Sequence, residues 1–208
     1  RATVSYNFFQ AAARAEVEAA VRAVEQQTAA EIVVTVHPTS GTYRHADYLA
    51  GFVCALAALC VFLFHPEPFE YTFFPLELTA AFVLGAVVTA FFAPLRRLLV
   101  SRKLREKNVR TSANAAFVEL GVFRTKGRTG ILVYVATFEK RVVVVPDVGV
   151  DPAALGPEWD KALAALDRSV RGGPGALAAA LAALGPLLAA ALPRQADDVN
   201  ELEDAVRA

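Results

Sequence analysis

The side chains best suited to chemistry in this sequence are four carboxylates set around short β-branched runs. Asp147 and Asp151 follow the run Val142-Val143-Val144-Val145 and flank Gly149. Glu31 opens the run Ile32-Val33-Val34-Thr35-Val36, and Glu139 lies in the connection that precedes Val142. Grouped carboxylates supply hard oxygen ligands, so Glu31, Asp147 and Asp151 are candidate ligands for Ca²⁺ or another divalent cation. Such an ion could also polarise a phosphoryl group. A position just after a buried strand is where open α/β sheets commonly hold ligands. A plainer reading stands beside this one: Asp147 ends the turn, and Asp151-Pro152 form the cap and first residue of a helix. The spacing Asp147-x-x-x-Asp151 is not that of an EF-hand loop. Glu31 has a structural alternative too, an ion pair with Arg128 or Arg141.

Other chemistries lack their residues. No G-x-S-x-G nucleophile elbow occurs, and Lys126-Gly127-Arg128-Thr129-Gly130 has neither P-loop nor dinucleotide-binding spacing. His37, His45 and His65 do not follow a zinc-ligand pattern. Arg124, Lys126 and Arg128 make a basic turn that suits an anion such as phosphate, or simple solvation. Trp159 reads as a core anchor. Cys54 and Cys60 fall in an apolar stretch, point to different helix faces, and read as packing residues rather than a redox pair. With 21 basic and 21 acidic residues, the chain has no global positive field to attract nucleic acid.

Positioning these side chains calls for an α/β arrangement. Residues 8–27 have the helical period, with Asn7 and Gln10 spaced as a capping box, and lead into the strand 32–36. A second helix covers 98–119 and is ended by Gly121. Strands at 131–135 and 142–145 form an antiparallel hairpin, and helices follow at 157–170, 176–192 and 200–207. The helix at 176–192 carries no charge, yet it is rich in Ala and has Gly185-Pro186 at its middle. It is expected to lie on the sheet rather than to cross a membrane.

Two other stretches do fit a membrane. Residues 48–64 and 78–95 are apolar and uncharged, each close to the ~17–25 residues of a bilayer-spanning helix. The composition leans the same way: 55% hydrophobic and 20% charged residues, with a mean hydropathy of +0.40. The intervening turn contains no Lys or Arg, and Phe64, Phe69, Tyr71, Phe73 and Phe74 crowd it as an interfacial belt would. Arg44 precedes the first span, and Arg96, Arg97, Arg102, Lys103, Arg105, Lys107 and Arg110 follow the second. The positive-inside rule then puts both flanks in the cytoplasm and the loop 65–77 outside. Arg96, Arg97, Arg102, Lys103 and Arg105 are expected to contact anionic headgroups. The layout is a discontinuous cytoplasmic domain, 8–47 plus 98–207, interrupted by a transmembrane hairpin at 48–97. The spans offer no charged group to line a transport path. Because the sequence contains no Met, residues are expected to precede Arg1.

In this order and spacing the motifs resemble a TPM domain, the family of a thylakoid-lumen phosphatase, a photosystem II repair protein and a nematode receptor modulator. The resemblance rests on Thr28-Ala29-Ala30-Glu31-Ile32-Val33-Val34, Arg128-Thr129-Gly130-Ile131-Leu132-Val133 and Glu139-Lys140-Arg141-Val142-Val143-Val144. It continues through Asp147-Val148-Gly149-Val150, Trp159 and Asn200-Glu201-Leu202, covering nearly the whole chain. It is strongest to the bacterial membrane branch, in which a two-span hairpin interrupts the domain. That resemblance implies an αβα sandwich with a mixed sheet, calcium binding as in some members, and acid phosphatase activity as in others. The expected function is a module in the cytoplasmic membrane of a bacterium, binding a protein partner or assisting assembly or repair of a membrane complex. The alternative is a metal-dependent acid-phosphatase-like hydrolase using Asp147 and Asp151. The sequence leaves the oligomeric state open.

Overall fold

The structure, a computed structural model, describes residues 8–66, 71–194, 202, 206 and 207. In chain order the elements are α1 (Ala11–Glu25), β1 (Glu31–His37), α2 (Arg44–Phe64), α3 (Phe74–Phe91), α4 (Ala93–Leu99) and α5 (Arg102–Glu119). They continue with β2 (Gly130–Ala136), β3 (Arg141–Pro146), α6 (Pro152–Leu155), α7 (Pro157–Ser169), α8 (Pro174–Ala182) and α9 (Gly185–Ala191). The chain divides into two compact units: Arg1–Ser40 with Glu106–Ala208, and Gly41–Arg105.

The first unit is mixed α/β. Among the described residues its strands form one sheet in the order β1-β2-β3. β1 runs parallel to β2, with Glu31 opposite Gly130 and His37 opposite Ala136. β2 and β3 are antiparallel, with Ile131 opposite Pro146 and Ala136 opposite Arg141, the hairpin expected from the sequence. Both faces of the sheet are covered. Ile32, Val34, Val36, Ile131, Val133 and Val135 join Val17 and Val21 of α1, Trp159 and Leu166 of α7, and the leucines of α8 in one core. Val33, Leu132, Tyr134 and Ala136 point the other way, onto Val109, Ala113 and Ala116 of α5. Burial on two sides explains why these strands read as unbroken β-branched runs instead of alternating with polar residues.

The edges of the sheet are guarded. Along β1, the Val36 N–H donates to the Arg207 carbonyl at 2.8 Å, and the Arg207 N–H donates to the Val34 carbonyl at 3.1 Å. Arg207 is therefore bridged to Thr35 as an extended segment and is not helical. The rest of the helix expected at 200–207 lies outside the described residues, apart from Leu202 and Val206. On the β3 edge, Asp167 accepts the Val142 N–H at 2.9 Å, and Pro146 has no N–H to offer.

Three further expectations are modified. Residues 176–192 form two helices, because Pro186 lacks the N–H that would continue the α8 ladder. The stretch 98–119 is broken as well. Val100 is extended (φ −90°, ψ 126°), and the Leu104 N–H donates to Ser101 Oγ at 3.3 Å, so Ser101 caps α5. At the start of α1, Gln10 is the cap residue but makes no side-chain cap bond, and Asn7 lies outside the described residues. Gly121 does end α5 as expected, in the left-handed region at φ +67°.

The second unit is helical. Its α2 and α3 approach closely at two glycines. A Cβ on Gly51 would lie 2.6 Å from the Phe82 carbonyl oxygen, and one on Gly85 would lie 2.6 Å from Cys54 Sγ. Small residues at the crossing are the usual means of packing helices where water supplies no driving force. By length and composition three stretches of the chain could cross a membrane: Arg44–Phe64, Phe74–Phe91 and Pro174–Ala191. Burial separates them, at 11%, 11% and 39% of each window. In the third, Leu177, Leu181, Leu184 and Leu188 belong to the core of the first unit.

Candidate functional site

The sheet has two ends, and its topology decides which side chains meet at each. β3 runs antiparallel to β2 and hence to β1, so the residues that follow it arrive at the amino-terminal ends of β1 and β2. There Asp147, only 2% exposed in its side chain, accepts two bonds from Arg128: Nε to Oδ2 at 2.6 Å and Nη2 to Oδ1 at 2.9 Å. The Val148 N–H donates to Oδ1 as well, at 2.8 Å. These bonds, the Arg128 pair foremost, hold the Asp147 carboxyl below its ordinary value against the opposing effect of burial, and the same pair raises Arg128. Arg128 sits in the left-handed region at φ 54°, uncommon for a residue with a side chain. Its carbonyl accepts the Gly149 N–H at 2.9 Å, and a Cβ on Gly149 would lie 2.3 Å from the Gly127 carbonyl oxygen. Glycine is thus required where the two turns touch.

The other candidate ligands have separate surroundings. Asp151 caps α6, its Oδ1 accepting the Ala153 N–H at 2.9 Å, which is the helix-cap arrangement set out from the sequence. Glu31 is buried at the start of β1, opposite Gly130. Glu31, Asp147 and Asp151 do not gather into a metal site: among the described residues no three His, Cys, Asp or Glu side chains are grouped to hold an ion. Of the pairings considered for Glu31, Arg128 goes to Asp147, and Arg141 bridges Glu106 at 2.6 Å and Asp167 at 2.8 Å. In the basic turn, Arg124 and Arg128 stand over the Phe123 ring at 5.7 and 6.0 Å, while Arg124 and Lys126 are exposed.

The opposite end, beyond the carboxyl termini of the parallel strands β1 and β2, is where the ligand rule for open sheets applies. A polar cluster that sequence reasoning did not assemble lies there. The Ser40 N–H donates to Glu139 Oε1 at 2.8 Å, and the Ser40 carbonyl accepts the Ser112 hydroxyl at 2.9 Å. Ser40 Oγ donates to the Tyr134 hydroxyl at 3.3 Å. Glu139 is 3% exposed. His37 stacks on Tyr134, ring centroids 4.8 Å apart. Burial lowers the His37 pKa and raises that of Tyr134, so both side chains favour the neutral form. The Thr35 hydroxyl lies 3.1 Å from the Arg207 carbonyl, to which it donates, and 3.0 Å from His37 Nε2. Ser40 is the last residue of the first unit before the chain passes into the second. The cluster fastens that exit point to β2, to the β2–β3 turn and to α5. Its only sequence signal was the polarity of Thr39-Ser40 after a buried strand.

In the helical unit, Asp47 near the start of α2 is buried and ion-paired to Arg96 of α4. Among the basic residues expected at a membrane surface, Arg96 is therefore engaged by a carboxylate. Arg97 and Arg105 are half-buried, and Arg102 and Lys103 are exposed.

Fold and geometry define a mixed α/β unit whose sequence is interrupted by an apolar helical unit. In three dimensions the chain is similar to the BA42 protein of the psychrophilic bacterium Bizionia argentinensis, known from an NMR structure, at a TM-score of 0.57 and 18% identity over 99% of each chain. At that identity the likeness concerns the fold. No family model and no curated protein matches the sequence.

Proposed function

We propose that this chain is a membrane-anchored TPM-like module of the bacterial cytoplasmic membrane. It binds a protein partner, or assists assembly or repair of a membrane complex, instead of acting mainly as a catalyst. The observation that carries this reading is the outward face of α2 and α3, where Phe52, Leu63, Leu84 and Phe91 are 61%, 66%, 66% and 85% exposed. An apolar surface of that extent needs lipid or protein around it. In this reading the cytoplasmic domain, 8–47 with 98–207, is an αβα sandwich built on the first unit, and the hairpin 48–97 spans the bilayer with the loop 65–77 outside. The Ser40 clamp supports it, because a domain interrupted by an anchor needs its exit point fixed.

Carbonate washing of isolated membranes, followed by thiol labelling, tests location and orientation together. With Cys54 and Cys60 replaced by Ser, Thr72→Cys reacts with a membrane-impermeant maleimide from outside. Lys126→Cys reacts only after the cells are opened. Release by carbonate overturns the anchor, and reversed labelling overturns the orientation. Co-purification in mild detergent tests for the partner, and recovery of the chain alone counts against an assembly role.

A further inference from the structure

Between α2, α3 and α4 runs an apolar groove of about 450 Å³, lined by Val53, Cys54, Leu84, Val88, Leu95 and Leu99 among others. Thr89 lines it too, and this residue is out of place. The residue is 1% exposed, yet its hydroxyl has no hydrogen-bond partner among the described residues. Thr79, on the same helix, behaves as a threonine in an apolar helix usually does, donating to the Pro75 carbonyl four residues back at 2.7 Å. A second feature marks one end of the groove. Leu95 and Leu99 reach it from α4; residues 97–105 carry four basic side chains and no acidic one, and the adjoining Arg96 is held by Asp47.

We propose that this groove holds one acyl chain of an anionic glycerophospholipid, with an ester carbonyl accepting the Thr89 hydroxyl and the phosphate at the basic end beyond α4. In hydrocarbon a buried hydroxyl has no water to turn to, and the Thr89 hydroxyl, unlike that of Thr79, is not bonded to a carbonyl of its own helix. A lipid ester brings an acceptor that has no donor of its own, and its phosphate complements the basic run. A second copy of this chain fits less well, because it would bring a like-charged rim against this one. The inference rests on the reading of α2 and α3 as membrane spans.

The test is native mass spectrometry of the full chain, extracted from membranes in mild detergent. The expected result is one phospholipid retained per chain after bulk detergent is stripped, with anionic species enriched over their share of the extract. Val53→Trp fills the groove from a side chain 54% exposed, and is expected to abolish the adduct. Thr89→Val keeps the volume and removes the hydroxyl, so retention should fall roughly tenfold. For the wild type, an ether-linked anionic lipid should bind no better than the ester lipid binds Thr89→Val. The proposal is overturned if the membrane-embedded wild type retains no lipid, if Val53→Trp carries the same adduct, or if a dimer occupies the groove. It is equally overturned if ester and ether lipids bind alike. Release of the wild type by carbonate is a separate result, and defeats the anchor reading itself.

Discussion

Glu139 accepts the backbone N–H of Ser40 at 2.8 Å, joining the β2–β3 turn to the residue at which the chain leaves the α/β unit. The carboxylate is almost fully buried, so no water can replace it if it is removed. Glu139→Ala should therefore lower the stability of the α/β unit by about 1–3 kcal/mol, the usual effect of leaving a buried donor unmatched. Glu139→Gln keeps an acceptor oxygen and should lose less. The chain has one Trp, Trp159, buried in the core of this unit, and its fluorescence during urea unfolding reports the change directly. Equal midpoints for wild type and Glu139→Ala would show that the clamp contributes nothing.

The Arg128–Asp147 pair predicts an acid-sensitive step. The Asp147 carboxyl titrates below its ordinary value of 3.8 in the folded chain, chiefly through the Arg128 bonds. A carboxyl depressed on folding contributes its stabilisation at pH above the unfolded value, and loses it as pH falls through the folded one. The Trp159 unfolding midpoint should thus drop below about pH 4, and Asp147→Asn should be less stable at pH 7 while showing a flatter acid limb. An unchanged acid limb in the variant would remove Asp147 from the account. The same variant addresses hydrolysis: a phosphomonoesterase activity that needs Ca²⁺ or Mg²⁺ and disappears in Asp147→Asn, with the fold intact at pH 7, would favour the hydrolase alternative.

Much of the fold was legible because the strands are β-branched runs and the helices are punctuated by Gly and Pro. The 131–135 and 142–145 hairpin, the Gly121 cap, the Asp151 cap and the burial of Trp159 all follow from local rules. The site was less legible, for a topological reason. Asp147 follows a strand, but that strand is antiparallel to the other two, so its carboxyl end lies away from those of β1 and β2. The Ser40 cluster escaped notice because its members come from positions 37, 40, 112, 134 and 139, and only pairing and crossover bring them together. Ser101 was missed because the apolar period of residues 98–119 runs through it, hiding a cap inside an apparently continuous helix.

His37 predicts a second pH effect, in a different window. Burial lowers its pKa below 6.5, with Glu119 opposing, so the folded chain resists protonating a ring that the unfolded chain protonates readily. For a histidine depressed on folding, stability is full above the unfolded value and declines as pH falls from 6.5 toward the folded one. Thermal midpoints taken between pH 7.5 and 5 should slope downward on acidification, and His37→Phe, which keeps a ring against Tyr134, should lessen that slope. A variant with the wild-type slope would assign the effect to other groups.

Leu181 distinguishes a core helix from a membrane span at residues 174–191. It is fully buried, and with Leu177, Leu184 and Leu188 it packs against the same core as Val21 of α1. Truncating a leucine in such a place leaves a cavity that the surroundings fill only in part. Leu181→Ala should therefore cost about 2–5 kcal/mol in the unfolding of the α/β unit. Were residues 174–191 a span facing lipid, acyl chains would fill the gap, and the same change would leave the Trp159 transition nearly where it was. A cysteine placed at Arg194 gives the companion measurement. On the proposed anchoring, with α8 and α9 packed on the sheet, it should label from the same side as Lys126→Cys; labelling from the opposite side would require residues 174–191 to cross the membrane.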